Sequence, residues 1–369
     1  MSDFDPLRAY NDLPKLPPSA KLESTIVLRY CIEARAALAQ LKASENLIPN
    51  QGVLINSIPL LEAKDSSEIE NIVTTADSLF QSVSDKFNLS NHATKEAIRY
   101  RTALLMGFKS LANRPLTTAT AIEVCSAIKG VEFGIRRVPG TALKNSKTNE
   151  VIYTPPEGEA LIRDCMSNWE KFLHEDSGLD PVIKMAVGHY QFEAIHPFTD
   201  GNGRTGRILN LLYLIDSGLL TQPVMYLSRY ILQHKSDYYQ LLLDVTKYSN
   251  WEPWLLFMLA GVTETAIWTS QKIVAIKRLM DHTVSFVQKR LPKVYSRELV
   301  ECIFTQPYCR IANLLELAIA KRETASSYLK LLCEIGILEE RKVGRDKVFI
   351  HPKFVGLLVS DSQTFTDYD

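Results

Sequence analysis

The sequence predicts a mainly α chain, with one small β-hairpin near its middle and a three-helix unit closed by a second hairpin at its C-terminus. Three observations carry this. Apolar residues recur at helical spacing through nearly every long segment. Only two stretches, 134–156 and 336–350, place apolar strands around a polar or glycine turn. Hydrophobic residues make up 46% of the 369, enough for a large core and two or three domains.

In chain order, residues 1–20 hold Pro6, Pro14, Pro17 and Pro18 and read as an extended surface segment. Residues 21–45 have helical spacing, and 46–59 read as a loop broken by Pro49, Gly52 and Pro59. Residues 60–82 are helical again. Here Ser67-Glu68-Ile69-Glu70 fits a capping box, with Glu70 reaching back to the cap N–H and the helix starting near residue 66. A helix over 91–113 stops at Asn113-Arg114-Pro115, and Thr117 or Thr118 caps the next, to about Val131. Thr141-Ala142-Leu143 and Val151-Ile152-Tyr153 flank a polar tip and make the hairpin, 138–156. Helices follow over 157–178 and 181–195, with Pro181 at the first position, where a missing N–H costs least. The next runs from about 203 to 216 and ends at Gly218. Residues 227–246 include Tyr238-Tyr239, and Trp251 opens a helix to about 284.

Residues 295–352 hold three helical segments and then a strand pair around Gly344, the pattern of a winged helix. Its recognition helix presents Arg322, Ser326, Ser327 and Lys330, and its wing Arg341, Lys342, Arg345 and Lys347. Net charge is zero, but residues 271–353 carry 16 Lys/Arg against 9 Asp/Glu. That balance fits DNA or an acidic partner. It also fits a solvated face on a protein-docking or dimerising module. Six cysteines lie scattered without metal-ligand spacing and read as reduced packing residues. No apolar signal core or bilayer-length run is present, so the expectation is a cytoplasmic chain away from membranes.

The chemistry concentrates in residues 196–207, HPFTDGNGRTGR. Pro197 disfavours helix at His196. Gly201-Asn202-Gly203 is turn chemistry, and helical spacing resumes at Arg204. A glycine-rich turn opening a helix offers free N–H groups and the positive end of the helix dipole, an anion site. Arg204 and Arg207, three apart, suit phosphate oxygens. Asp200 offers a hard oxygen to Mg²⁺, and His196 a general base. Glu193, one turn earlier, touches substrate or supports His196; with His189 it makes an HxxxE pair that lacks a third metal ligand.

The string resembles the signature of Fic-domain proteins, His-x-Phe-x-(Asp/Glu)-Gly-Asn-Gly-Arg-x-x-Arg, without departure. The resemblance implies an ATP-dependent protein adenylyltransferase, moving AMP to a Ser, Thr or Tyr hydroxyl of a target protein. It implies His196 as base and Asp200 on Mg²⁺. Gly201, Asn202, Gly203, Arg204, Thr205, Gly206 and Arg207 would lie around the phosphates, with Asn202 on the α-phosphate. Ser66 to Asn71 also matches (Ser/Thr)-x-x-x-Glu-(Gly/Asn), which is similar to the family's inhibitory helix. Glu70 would then pair with Arg207 and keep the γ-phosphate from seating. The hairpin resembles the flap that holds the target by strand addition, through Leu143, Val151 and Ile152. Many relatives have Arg at the place of Leu143, and Asn at the place of Thr246. Tyr239 would lie against the purine. Removal of AMP, transfer of another phosphate-containing group, and nucleotide sensing by a DNA-binding regulator are the alternatives. The implied organisation is a helical N-terminal region (1–113), a catalytic core (114–284), a winged helix (285–360) and a tail (361–369). DNA and a second copy of the chain remain open as partners.

Overall fold

The computed structural model describes residues 4–84, 91–144, 148–343 and 346–368. Arg345, Gly344 and part of the hairpin tip, 145–147, lie outside the described residues. An N-terminal strap leads into α1 (Thr25–Glu45), capped by Ser24, and then α2 (Gly52–Ile55), α3 (Ile58–Ile69) and α4 (Ala76–Ser84). α5 (His92–Ser110) and α6 (Thr118–Lys129) follow, then the hairpin β1 (Leu143–Lys144) and β2 (Val151–Tyr153). α7 (Glu159–His174), α8 (Pro181–Ile195) and α9 (Asn202–Asp216) come next, then α10 (Leu227–Gln233) and α11 (Lys235–Tyr248). α12 (Trp251–Arg290) joins this body to α13 (Arg297–Thr305), β3 (Tyr308–Cys309), α14 (Ile311–Glu316) and α15 (Arg322–Glu334). β4 (Glu339–Val343), β5 (Asp346–Ile350) and α16 (Pro352–Val359) close the chain.

The mainly helical class is as expected, and α8 and α9 pack side by side at its centre. Phe192 and Ile195 of α8, Ile208 and Leu212 of α9, and Phe198 of the loop between them are buried. Trp169 and Trp254 lie on α8, each indole N–H donating to one of its carbonyls, at Gly188 and Ala186.

Four expectations change. The helix carrying Glu70 begins at Ile58, because Pro59 sits in its first turn, where a missing N–H is harmless. It ends at Glu70, so Ser67 is buried in its last turn and the capping box does not exist. Asn71, at φ 62, turns the chain; its N–H donates to Glu68 O and that of Ile72 to Ser67 O, a Schellman closure. The reading of 66–82 as one helix also fails, since α3 and α4 are separate. The expected boundary at 284/285 falls inside α12, which has no breaker until Pro292. Lastly, β3 and α16 went unforeseen; β3 pairs with β5, giving the sheet order β3-β5-β4. A two-residue strand shows no alternation to read.

Two buried carboxylates fix α3. Glu62 accepts from the Tyr100 hydroxyl and the Ser228 N–H, both at 2.9 Å, and Asp65 accepts from the Tyr226 hydroxyl at 2.5 Å. Burial pushes the Glu62 carboxyl up to about 7, opposed by its hydrogen bonds to Ser228 and Tyr100 and by the Arg207 charge.

Candidate active site

α8 ends at His196, in the left-handed region at φ 50, and its N–H donates to Phe192 O at 3.0 Å. Pro197 makes a further helical turn unfavourable. The ring is largely buried and Nδ1 has no partner. Burial, then the nearby Arg136 charge, lowers its pKa to about 4. The imidazole is therefore neutral at pH 7, the form that accepts a proton. A lower pKa keeps it neutral to lower pH. The acid limb of a kcat/KM profile governed by His196 should thus bend well below 6.5, the ordinary histidine value. A bend near 6.5 would mean the ring is solvated during reaction.

The loop after His196 is tied at both ends. Asn202 accepts from the Phe198 N–H and donates to Phe198 O, each at 2.8 Å. Its amide thus ties the loop at Phe198, and the first backbone N–H groups of α9 lie at the turn beside it. Gly201 is left-handed at φ 86 and precedes the first turn of that helix. Asp200 is exposed and pairs with Lys129; Arg204 lies 4.0 Å away. Burial opposes ionisation, but the hydrogen bond and charge of Lys129, aided by Arg204, hold the carboxyl below its ordinary value.

Both motif arginines are buried and engaged. Arg204 pairs with Glu96 of α5, so it is not free as expected. Arg207 donates from Nε to Ser66 Oγ, and from Nη2 to Ser66 O and Glu70 Oε1, each at 2.8 Å. The Glu70 carboxylate also lies directly over Gly203, where a Cβ would collide with it. An internal anion thus occupies the N-terminal turn of α9. Thr205 is fully buried, its hydroxyl unpartnered. Gly206 lets α8 approach: a Cβ there would sit 2.5 Å from Glu193 Oε1.

Glu193 is pushed up to about 8 by burial, with Arg207 opposing and Glu70 reinforcing. It lines a pocket with Leu143 and Ile152 of the hairpin and Tyr190, Tyr239 and Thr246 of the helices. Val151, the third flap residue, lies in β2 opposite Lys144. Tyr238 faces the core instead, its hydroxyl 2.9 Å from His189 Nε2, so the HxxxE histidine is a packing residue.

Arg136 escaped the sequence reading. Its Nε donates to His196 O at 2.8 Å and its Nη2 to Ile195 O and Pro156 O, while its N–H donates to Pro197 O. It joins the His196 corner to the hairpin's exit. A buried arginine beside Arg137 leaves no periodic signal, and neither does Glu96. Replacing Arg136 by Leu should lower kcat roughly 10-fold or more, since charge-assisted hydrogen bonds contribute about 1.5–3 kcal/mol. KM for nucleotide should move less, and Arg136→Lys should recover part of the rate. An unchanged kcat in a folded Leu variant would remove this positioning role.

Three family models match the chain: the Fic/DOC family N-terminal model over residues 28–109, the Fic/DOC family model over 116–214, and the C-terminal domain of SoFic-like protein adenylyltransferases over 279–354. A probable protein adenylyltransferase of Aquifex aeolicus is 44% identical over 71 residues, 19% of this chain and 21% of the relative. The protein adenylyltransferase Fic of Drosophila melanogaster is 28% identical over 152 residues, 40% of this chain and 29% of the relative. These matches thus span less than a third of the relatives' own length. A Fic family protein from Desulfovibrio desulfuricans has a similar fold, at TM-score 0.55 and 17% identity, covering 90% of this chain and 98% of the other. Fic-1 of Caenorhabditis elegans aligns at TM-score 0.53 and 18% identity over 68% of this chain and 72% of that one. At these identities the two structures speak to the fold.

Proposed function

Because the chain belongs to the Fic/DOC family, we propose that it is a protein adenylyltransferase, held back by its own Glu70. The observation that carries this is the Glu70 carboxylate seated over Gly203 and paired with Arg207, beside a neutral His196. A helix N-terminus that accepts a carboxylate accepts a phosphate, and a neutral histidine next to it accepts a proton.

In the proposed reaction a Ser, Thr or Tyr hydroxyl of the target lies along the hairpin. His196 takes its proton while the oxygen attacks the α-phosphorus of ATP. The bond from that phosphorus to the bridging oxygen breaks, pyrophosphate leaves, and AMP remains on the target. The N–H groups of α9 stabilise charge on the α-phosphate, and Asn202 keeps their loop in place. Arg207, once released by Glu70, holds the γ-phosphate, while Arg204 requires a shift from Glu96. Asp200 fits Mg²⁺. It is an exposed, ionised carboxylate at the mouth of the turn, and Mg²⁺ needs only one or two carboxylates beside substrate phosphates and water. Lys129 would give way. When bound, the ion neutralises phosphate charge. Among the described residues no cluster of three or more metal-ligating side chains exists. Mass analysis of target peptides after reaction tests this: the added group should be AMP on a hydroxyl residue. Loss of AMP from a premodified target, or another phosphate-containing adduct, would reassign the chemistry.

No helix is long and apolar enough to cross a membrane among the described residues. For the C-terminal unit we propose weak contact with duplex DNA through α15, where Arg322, Ser327 and Lys330 are exposed. On the wing, Lys347 pairs with Glu340, and Arg341 lies 4.0 Å from Asp77. Binding should therefore be salt-sensitive with a shallow slope. If the full chain shifts no duplex at low salt, α15 is a protein-contact face.

A further inference from the structure

We infer that the C-terminal unit holds the inhibitory end of α3 in place, through Asp77 and Phe80 of α4 docked on Tyr308 of β3. This rests on the Glu70 restraint proposed above and names the residues that position it. α3 is anchored unevenly. Glu62 and Asp65 tie its middle turns to Tyr100, Ser228 and Tyr226. Glu70 lies beyond those anchors, at the end of the helix. The turn after it, 71–75, has little slack. The Lys235 ammonium donates to Asn71 Oδ1 at 3.2 Å, the Ile72 N–H closes back on Ser67 O, and the Thr74 and Thr94 hydroxyls lie 2.7 Å apart. Thr75 caps α4, its Oγ1 accepting from the Ser78 N–H at 3.1 Å. Withdrawing Glu70 from Arg207 means shifting this turn, and a turn tied this closely carries the displacement into α4.

α4 is fixed in turn by the C-terminal unit. The Phe80 and Tyr308 rings stack, with centroids 6.3 Å apart and planes 8° from parallel, and both residues are buried. The Tyr308 hydroxyl donates to Asp77, and Arg341 of β4 lies 4.0 Å from the same carboxylate. Tyr308 stands on a firm base. β3 pairs with β5. Buried Lys272 of α12 donates to Leu357 O at 2.6 Å and Ser360 O at 2.7 Å, fastening the end of α16 to the long helix. The same unit also meets the chain before α3: Asn50 donates to Glu301 at 3.1 Å and Asn56 to Thr305 O at 3.4 Å. α13 and β3 thus bracket the inhibitory helix on both sides in sequence. Undocking α4 removes a hold on its last turn, so Glu70 leaves Arg207 more often.

The test measures initial transfer rates in the full chain, with α-labelled ATP, Mg²⁺ and a cell lysate as the source of target. Phe80→Ala, which removes the stacked ring, should raise transfer towards the Glu70→Gly rate without passing it. Tyr308→Phe keeps the ring and loses only the hydroxyl. It should raise transfer roughly 2- to 10-fold, the shift that one lost hydrogen bond gives to an equilibrium. Asp77→Ala breaks the same bond and should act within that range. In the Glu70→Gly chain each substitution should leave the rate unchanged, because no restraint remains to loosen. Lys353→Ala loosens the tail at Thr366 and Asp367 within the same unit, and it should stay at the wild-type rate. Activation by Glu70→Gly but not by Phe80→Ala or Tyr308→Phe overturns the inference and leaves the restraint standing. So does an equal effect of these variants with and without Glu70, or equal activation by Lys353→Ala, since either would mean general loosening. A folded Glu70→Gly protein that is not activated overturns the restraint and this inference with it.

Discussion

Replacing His196 by Ala should lower AMP transfer roughly 10²–10⁴-fold, the range general base catalysis supplies, and leave ATP binding nearly intact. His196 is the group at the turn that is neutral at pH 7 and has an unpartnered ring nitrogen. The carboxylates nearby are differently placed. Asp200 is tied to Lys129, and Glu70 to Arg207. Glu193 is held as the neutral acid by burial. Binding should survive because, in the proposed mode, the phosphates contact α9, and His196 contributes nothing to that helix's free N–H groups. Single-turnover rates and calorimetric ATP affinity, measured on one preparation, check both halves. Near-normal transfer by the Ala variant would take the base role from His196.

Removing the Glu70 side chain acts in the opposite direction. Glu70→Gly should raise transfer roughly 10- to 150-fold, if the charge-assisted contact to Arg207 contributes about 1.5–3 kcal/mol at about 1.4 kcal/mol per factor of ten. The carboxylate does two things at once: it neutralises Arg207 and fills the space above Gly203. Glu70→Gln separates them, because it removes the charge and keeps the bulk, so it should activate less than Gly. Arg207→Ala breaks the same contact yet should lose activity, since the γ-phosphate then lacks its partner. Glu70 makes no N-terminal cap, but its loss leaves the buried Arg207 without its carboxylate partner, so a lower melting temperature should accompany activation, while α3 stays anchored by Glu62 and Asp65. Initial rates of label transfer across the four proteins, with melting temperatures alongside, decide the matter. An unchanged rate in a folded Glu70→Gly protein would reduce Glu70 to the end of a helix.

What could be read from the chain follows from how local each signal is. The turn at Gly201–Gly203, its helix and the corner at His196 are set by adjacent residues, so twelve letters disclose them. The Glu70–Arg207 pair spans 137 positions and was legible only through the resemblance. Local pattern instead pointed to a capping box that the fold does not contain. That error came from treating Pro59 as a breaker, when it opens α3, and from missing Asn71 as the left-handed residue that closes it. Glu96 and Arg136 were illegible for another reason. Each is a charged residue made acceptable in the interior by a partner far away in sequence, Arg204 in one case and the carbonyls around His196 in the other. Periodicity reports apolar faces and carries no information on such pairs.

The most direct test of the account uses ATP labelled in two positions. Glu70→Gly protein is incubated with a cell lysate and either α- or γ-labelled ATP, and labelled proteins are separated. Label should enter protein from the α-position, should not enter through this enzyme from the γ-position, and should vanish when His196 is also replaced by Ala. Incorporation from the γ-phosphate that depends on His196, or α-label incorporation indifferent to His196, would contradict it.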